Sequence, residues 1–158
     1  MEKSVFSRDK FMDDEDFFSE KASEGRVTPE RIVTLQPGEI FVFGSNPGGI
    51  HSGGAARAAL DKFGAVMGQG EGLQGQSYAI PTTFDTVEEI RPYVDNFITF
   101  ADANPQMTFL VTRIGCGIAG FRDEDIAPLF AGAQGLQNVH LPASFWKIIN
   151  YKLNHSKA

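Results

Sequence analysis

The chain has 158 residues, a formal net charge of −6, 42% hydrophobic residues and 17 glycines. This length predicts a domain with a full hydrophobic core, and the acidic balance excludes a grip on duplex nucleic acid built from a basic patch. The single cysteine, Cys116, excludes an intrachain disulfide, and no apolar run reaches the ~20 residues of a membrane span. The acidic amino terminus has no signal-peptide pattern, so we expect a cytoplasmic protein that does not bind membranes.

Residues 1–26 are expected to form an arm, and residues 27–158 a single domain. The arm contains the acidic run Asp13-Asp14-Glu15-Asp16 and four interspersed phenylalanines: Phe6, Phe11, Phe17 and Phe18. Two interpretations are open. The arm is either a partly ordered extension whose phenylalanines dock on the domain, or a segment that binds a protein partner. We favour the first.

The domain alternates short apolar runs with helical patterns. Thr28-Pro29 is typical of a helix start or a turn. Strands are predicted at four places: residues 40–43, 77–81, 108–114 and 138–142. Helices are predicted at four places: residues 53–63, 87–101, 123–133 and 143–153. Strands that alternate with helices indicate a layered α/β fold with a mostly parallel sheet.

Two glycine-rich turns each follow a predicted strand and precede a predicted helix. Such turns bring bare backbone N–H groups to the positive end of a helix, where they bind anions, phosphate above all. Two turns therefore suggest a ligand with two phosphates. The residues expected to bind it are Ser45, Asn46, Gly48, Gly49, Gly53 and Gly54 in the first turn, and Gly115, Cys116, Gly117, Ile118, Ala119, Gly120 and Phe121 in the second.

Four side chains near these turns have functional and structural interpretations. His51 is a candidate general base or phosphate partner, or simply an exposed histidine. Glu71 is a candidate acid or base if residues 68–76 cover a pocket, and otherwise belongs to an exposed hairpin-like loop. Arg113 interrupts an apolar strand near its end and needs a partner, either an internal carboxylate, which we favour, or a ligand phosphate. A helix amino terminus would lower the pKa of Cys116, but we expect this residue only to line a tight loop.

At these two turns the chain resembles the macrodomain family, the ADP-ribose-binding α/β module. Phe43-Gly44-Ser45-Asn46 with the glycines that follow is similar to the first loop of that family. The segment from Arg113 to Phe121 is similar to its Gly-Ile-aromatic-Gly loop, with Ala119 at the aromatic position. The resemblance covers roughly residues 38–142. The chain also resembles bacterial proteins that share Phe-Gly-Ser-Asn, Gly-Gln-Gly and Ser-Tyr-Ala-Ile-Pro segments.

The resemblance implies a three-layer macrodomain-like fold that binds ADP-ribose or a related nucleotide. It implies that Asn46 contacts the distal ribose and that residues 115–121 wrap the diphosphate. The family's hydrolases carry further acids near the first loop, whereas this chain has no Asp or Glu between Asn46 and Ala59. Binding is therefore favoured over hydrolysis of an ADP-ribosyl linkage, for which His51 and Glu71 are the base candidates.

Two other functions remain open at this point. One is a nucleotide phosphohydrolase that uses the same anion loops with a metal. One cysteine and three scattered histidines give no ligand cluster for it, so we expect neither a metal nor another cofactor. The other is a protein-interaction module that acts through residues 1–26.

Overall fold

The structure is a computed structural model that describes residues 25–117 and 119–155, with side chains up to residue 152. Nearly all of the predicted arm, together with Ile118, lies outside the described residues. The described chain begins as an extended segment beside the last strand. Val27 forms a parallel bridge to Leu141, and the N–H of Thr28 donates to the carbonyl of Leu141 at 2.9 Å. Pro29 disfavours helical backbone at Thr28, so Thr28-Pro29 does not start a helix.

Five strands of the described residues form one sheet in the order β2-β3-β1-β4-β5. The central strand, β1 (Glu39–Ser45), pairs in parallel with β3 (Ser77–Pro81) on one side and with β4 (Thr108–Val111) on the other. At the edges, β5 (Val139–His140) is parallel to β4, whereas β2 (Gly72–Gln74) is antiparallel to β3. The predicted mostly parallel α/β arrangement is confirmed.

Four helices in the described part of the chain cover the two faces of this sheet. One face carries α1 (Gly54–Lys62). The other face carries α2 (Arg91–Ala103), α3 (Asp123–Ile126) and α4 (Ala143–His155). The helix predicted at residues 123–133 is divided, since α3 is followed by a 3-10 stretch over Ala127–Ala133. Pro128 lacks the N–H that would continue the α-helical ladder, which accounts for the change.

The core has two parts because alternate residues of each strand point to opposite faces. In β1, Ile40 and Val42 pack with the cluster under α2 and α4, whereas Phe41 and Phe43 pack against α1. Burial on both faces explains why this strand reads as an unbroken apolar run. The cluster under α1 is much the smaller of the two. On this face, part of the sheet is covered by a segment that is not helical.

The order of the strands defines a topological switch point between β1 and β4. The chain leaves β1 through α1 on one face to reach β3, then returns across the other face through α2 to β4. The connections that follow β1 and β4 therefore diverge, and a crevice opens outside the carboxyl ends of the two strands. In open α/β sheets this crevice is the usual ligand site.

Candidate functional site

A cavity of about 1000 Å³ lies at this switch point, on the face that carries α1. Phe41 forms part of its floor, and the extended segment 27–32 forms one wall. The other walls come from α1 and from the ends of β4 and β5, and their residues are Gly54, Ala55, Ala58, Thr112, Arg113, Asp123, Pro142, Ala143 and Ser144. Among the predicted site residues that the structure describes, Gly54 is the one that lines this cavity.

The first glycine turn is held closed by its own hydrogen bonds. The side-chain oxygen of Asn46 accepts the N–H of Ile50 at 2.9 Å, and its Nδ2 donates to the carbonyl of Ile50 at 2.9 Å. The hydroxyl of Ser45 donates to the carbonyl of Gly70. Gly49 fits so tightly that a Cβ there would come closer than 3.0 Å to the backbone of the 68–69 loop. This turn therefore packs against a second loop of the chain.

Two further glycines of the first turn lie nearer to α1. Gly53 is the N-cap residue of α1 and supplies no side-chain cap, and the first turn of the helix has no acidic residue. The first N–H groups of a helix have no intrahelical partner, so those at the start of α1 remain open beside the cavity. Gly48 is exposed, with open space around it apart from its own loop.

His51 is fully buried under the first turn. Its Nε2 lies 3.1 Å from the carbonyl of Gln69, which makes Nε2–H the donor, and its ring packs edge-on against Phe43 at 5.2 Å. Its Nδ1 is buried and has no hydrogen-bond partner among the described residues. A general base must reach its substrate, so this placement weighs against the predicted catalytic role.

Glu71 lies at the opposite edge of the sheet from the cavity, directly before β2. Its Oε2 accepts a hydrogen bond from Nδ2 of Asn96 in α2 at 3.0 Å. Three strand positions separate β2 from β4, which is roughly 14 Å at the usual spacing between strands. The structure therefore does not bring Glu71 to the residues that follow β4, and its catalytic role stays a prediction.

The second glycine turn packs over the end of β1, since a Cβ on Gly44 would lie 3.4 Å from the amide nitrogen of Gly115. It forms two internal turns, in which Gly120 N–H donates to Gly117 and Phe121 N–H donates to Gly115. The N–H groups of Gly117 and Ala119 have no acceptor among the described residues. Neither residue lines the cavity.

A charged cluster connects this turn to the cavity. Oδ1 of Asp123, at the start of α3, accepts both Nε–H of Arg113 at 3.0 Å and the thiol of Cys116 at 3.2 Å. The predicted carboxylate partner of Arg113 is therefore found, although the arginine side chain is 59% exposed. Phe121 is half-buried and packs against the core beneath α2 and α4, as does Cys116.

The cluster shifts the pKa values of its members. Burial would raise the pKa of Asp123, but the hydrogen bonds from Cys116 and Arg113 outweigh it and lower this pKa. Burial, with the adjacent Asp123 carboxylate, raises the pKa of Cys116 to about 12. The expectation that a helix terminus lowers this pKa is wrong, because α3 is a single turn and a carboxylate stands beside the thiol. Cys116 is a protonated donor at neutral pH.

Sequence reasoning missed the polar groups that line the cavity. Asp123 was expected only as the first residue of the helix predicted at residues 123–133. Thr28 and Ser144 line the same cavity, and each has a buried hydroxyl without a hydrogen bond of normal geometry among the described residues. Nothing in the sequence indicates that Thr28 or Ser144 lines a ligand site. Asp123 follows closely on the second glycine turn and was identifiable as a candidate from that position.

Comparisons with protein-family models, curated proteins and solved structures find no match. No helix of the described residues is long and apolar enough to cross a membrane. Within the same part of the chain, no group of three or more His, Cys, Asp and Glu side chains is placed to hold a metal ion.

Proposed function

We propose that this protein binds ADP-ribose or a related nucleotide diphosphate in the cavity at the switch point, as a macrodomain-like module. The observation that carries the proposal is the position of that cavity, about 1000 Å³ in volume, outside the carboxyl ends of β1 and β4. Small-molecule sites are concave, of about 300–1,000 Å³, and in α/β sheets they lie at this point. Of the two glycine turns that resemble macrodomain loops, the first contributes Gly54 to this cavity.

The walls of the cavity supply the groups that a diphosphate needs. The uncapped amino end of α1, at Gly54 and Ala55, offers N–H groups and the positive end of a helix dipole. Arg31 and Arg113 also line the cavity, and the terminal guanidinium nitrogens of Arg113 have no partner among the described residues. Phosphate oxygens can therefore be bound by both backbone and side-chain donors.

An apolar region lies between these polar walls. Phe41, Ile32 and Ala58 line the cavity where α1 and the extended segment cover the sheet. A nucleobase is flat and largely apolar on its faces, so this region suits it better than it suits a sugar or a phosphate. The combination of an apolar floor with anion-binding walls favours a nucleotide over a free phosphate or a peptide.

We propose binding and not turnover. His51 is buried away from the cavity, and Glu71 lies at the far edge of the sheet. The amide of Asn46 is engaged with Ile50 through both its oxygen and its nitrogen, so the proposal assigns it no ligand contact. The first turn then supports the cavity by shaping the entry into α1.

Calorimetric titration with ADP-ribose tests the proposal. We expect saturable heat with the full chain, and its loss in Ala58→Phe, which places a ring in the cavity from α1. The matched control is Ala103→Phe, which adds the same ring at the exposed end of α2 and is expected to bind normally. Absence of heat with the wild-type chain at millimolar ligand, or equal binding by both variants, would refute the proposal.

A further inference from the structure

We infer that the Asp123 carboxylate binds the sugar hydroxyls of the ligand, so that the site selects a nucleotide or sugar phosphate whose ribose carries free hydroxyls. This inference rests on the proposed function and adds an orientation to it. The sugar lies at the wall formed by the start of α3, and the phosphates lie toward the amino end of α1. The geometry of Asp123 carries the argument.

The Asp123 carboxylate is held by neighbouring side chains and keeps acceptor capacity on the side of the cavity. Both Arg113 and Cys116 donate to Oδ1, at 3.0 and 3.2 Å, and the Ser144 hydroxyl also interacts with this carboxylate. An ionised carboxylate has about four acceptor sites, so it can still accept a hydrogen bond from a ligand. The side chain is 20% exposed and lines the cavity, so a ligand can reach it. The hydroxyl of Ser144 lies near the same carboxylate. The two residues form a polar wall of the cavity, in which the carboxylate can accept a further hydrogen bond.

The charge of this wall decides which part of a nucleotide it can bind. The donors to Oδ1 hold Asp123 ionised, so Oδ2 can only accept a hydrogen bond. The diphosphate of ADP-ribose has only acceptor oxygens at neutral pH and is repelled by a carboxylate, whereas a ribose hydroxyl donates to it. Hydrogen bonds to charged acceptors are stronger than those between neutral groups. The carboxylate therefore favours the sugar and excludes the phosphate from this wall.

A solely structural role for Asp123 predicts something different. The Arg113–Asp123 ion pair joins the end of β4 to the start of α3, and its loss would loosen both walls together. Affinity would then fall for every ligand of the cavity, and the unfolding temperature would fall as well. Recognition of a sugar instead predicts opposite changes for a ligand with hydroxyls and for a bare anion.

Calorimetry with Asp123→Asn separates the two roles. We expect about a tenfold loss of ADP-ribose affinity, because a charged acceptor is replaced by a neutral amide, and tighter binding of inorganic pyrophosphate, because a negative charge is removed. The matched control is Glu124→Gln, which removes the same charge from the exposed neighbour on α3. This variant is expected to change the affinities for both ligands slightly and in the same direction. Affinity changes of the same sign for both ligands in Asp123→Asn would overturn the inference.

A ligand pair makes the test independent of any variant. The wild-type chain should bind ribose 5-phosphate more tightly than 2-deoxyribose 5-phosphate, and equal affinities would overturn the inference. A wild-type chain that binds ADP-ribose but passes neither test refutes the role of Asp123 and leaves the proposed function standing. A wild-type chain that binds none of these ligands refutes both.

Discussion

Replacing Gly49 by alanine tests whether the first glycine turn is a packing element. Gly49 is buried and has φ of +71°, a conformation that costs an alanine about 1 kcal/mol. A Cβ would also come closer than 3.0 Å to backbone atoms of Gly68 and Gln69. Those atoms belong to a loop that is itself hydrogen-bonded to Gly49, since Gly68 N–H donates to its carbonyl at 2.9 Å. The clash therefore cannot be relieved by a side-chain rotation.

The size of the effect follows from these two causes. Overpacking against a well-packed site typically costs about 1–3 kcal/mol, and adding the strain gives about 2–4 kcal/mol for Gly49→Ala. For a chain of this size, that corresponds to a fall of roughly 5–15 °C in the midpoint of thermal unfolding. Urea denaturation gives the free energy of unfolding directly, and circular dichroism gives the midpoint.

Two neighbouring glycines provide matched controls. Gly48→Ala has ordinary contacts at 3.7 and 3.8 Å and no positive φ, so its free energy of unfolding should stay within about 0.5 kcal/mol of wild type. Gly68→Ala has φ of +96° but nothing within 4 Å, so it isolates the strain at about 1 kcal/mol. If Gly49→Ala is no less stable than Gly68→Ala, the loop-to-loop packing is not what requires glycine, and the reasoning fails.

Three further predictions follow from other contacts. Asn46→Ala should lower the free energy of unfolding by about 1 kcal/mol, through loss of its bonds to Ile50, while ADP-ribose affinity stays unchanged; a lost affinity at unchanged stability would return Asn46 to the ligand site. Arg26→Met should cost about 2–4 kcal/mol in urea denaturation, because the buried guanidinium donates to the carbonyls of Gln134 and Leu136 and stacks 4.8 Å from the Trp146 ring; a cost below about 1 kcal/mol contradicts this. The Cys116 thiol, with its pKa raised to about 12, should show thiolate absorbance only at strongly alkaline pH in the native chain. A raised pKa favours the protonated thiol in the fold, so this stabilisation is complete below the unfolded pKa of about 8.5 and is lost as pH rises toward 12. Cys116→Ala should remove that part of the alkaline destabilisation. A native thiolate that forms near pH 8.5 would refute the raised pKa of Cys116.

The sheet could be predicted from sequence because its parallel strands are buried on both faces. Residues 40–43 of β1 are an unbroken apolar run, residues 78–80 of β3 are apolar or aromatic, and a glycine or a proline follows each run. The antiparallel strand β2 could not, since Gly72–Gln74 carries a single apolar side chain and is held by backbone pairing to β3. Its place in the sheet depends on a tertiary partner, and local residue patterns do not encode that.

The candidate site was harder to predict because glycine clusters have two physical causes. Close approach of a ligand requires bare backbone, but so does close approach of another segment of the same chain. The second cause dominates at Gly49 in the first turn, which meets the 68–69 loop, and at Gly70 in that loop, which meets the backbone of Asn46 and Pro47. Gly54 differs, since it has open space around it and lines the cavity. The sequence shows both kinds of glycine in one motif, and only the fold separates them.

Asp123 is a better candidate for contact with a ligand than the predicted bases His51 and Glu71, because it lines the cavity. His51 and Glu71 were singled out because they lie among glycines in the sequence, yet each is engaged within a loop that packs on its neighbours. Asp123 lies shortly after the second glycine turn in the sequence. It is the first residue of α3, and it lines the cavity. In open α/β sheets ligands bind outside the carboxyl ends of the strands, and Asp123 opens the helix that follows β4 at that end. For this cavity, closeness in space to the switch point is therefore a better guide to the lining residues than closeness to glycine in the sequence.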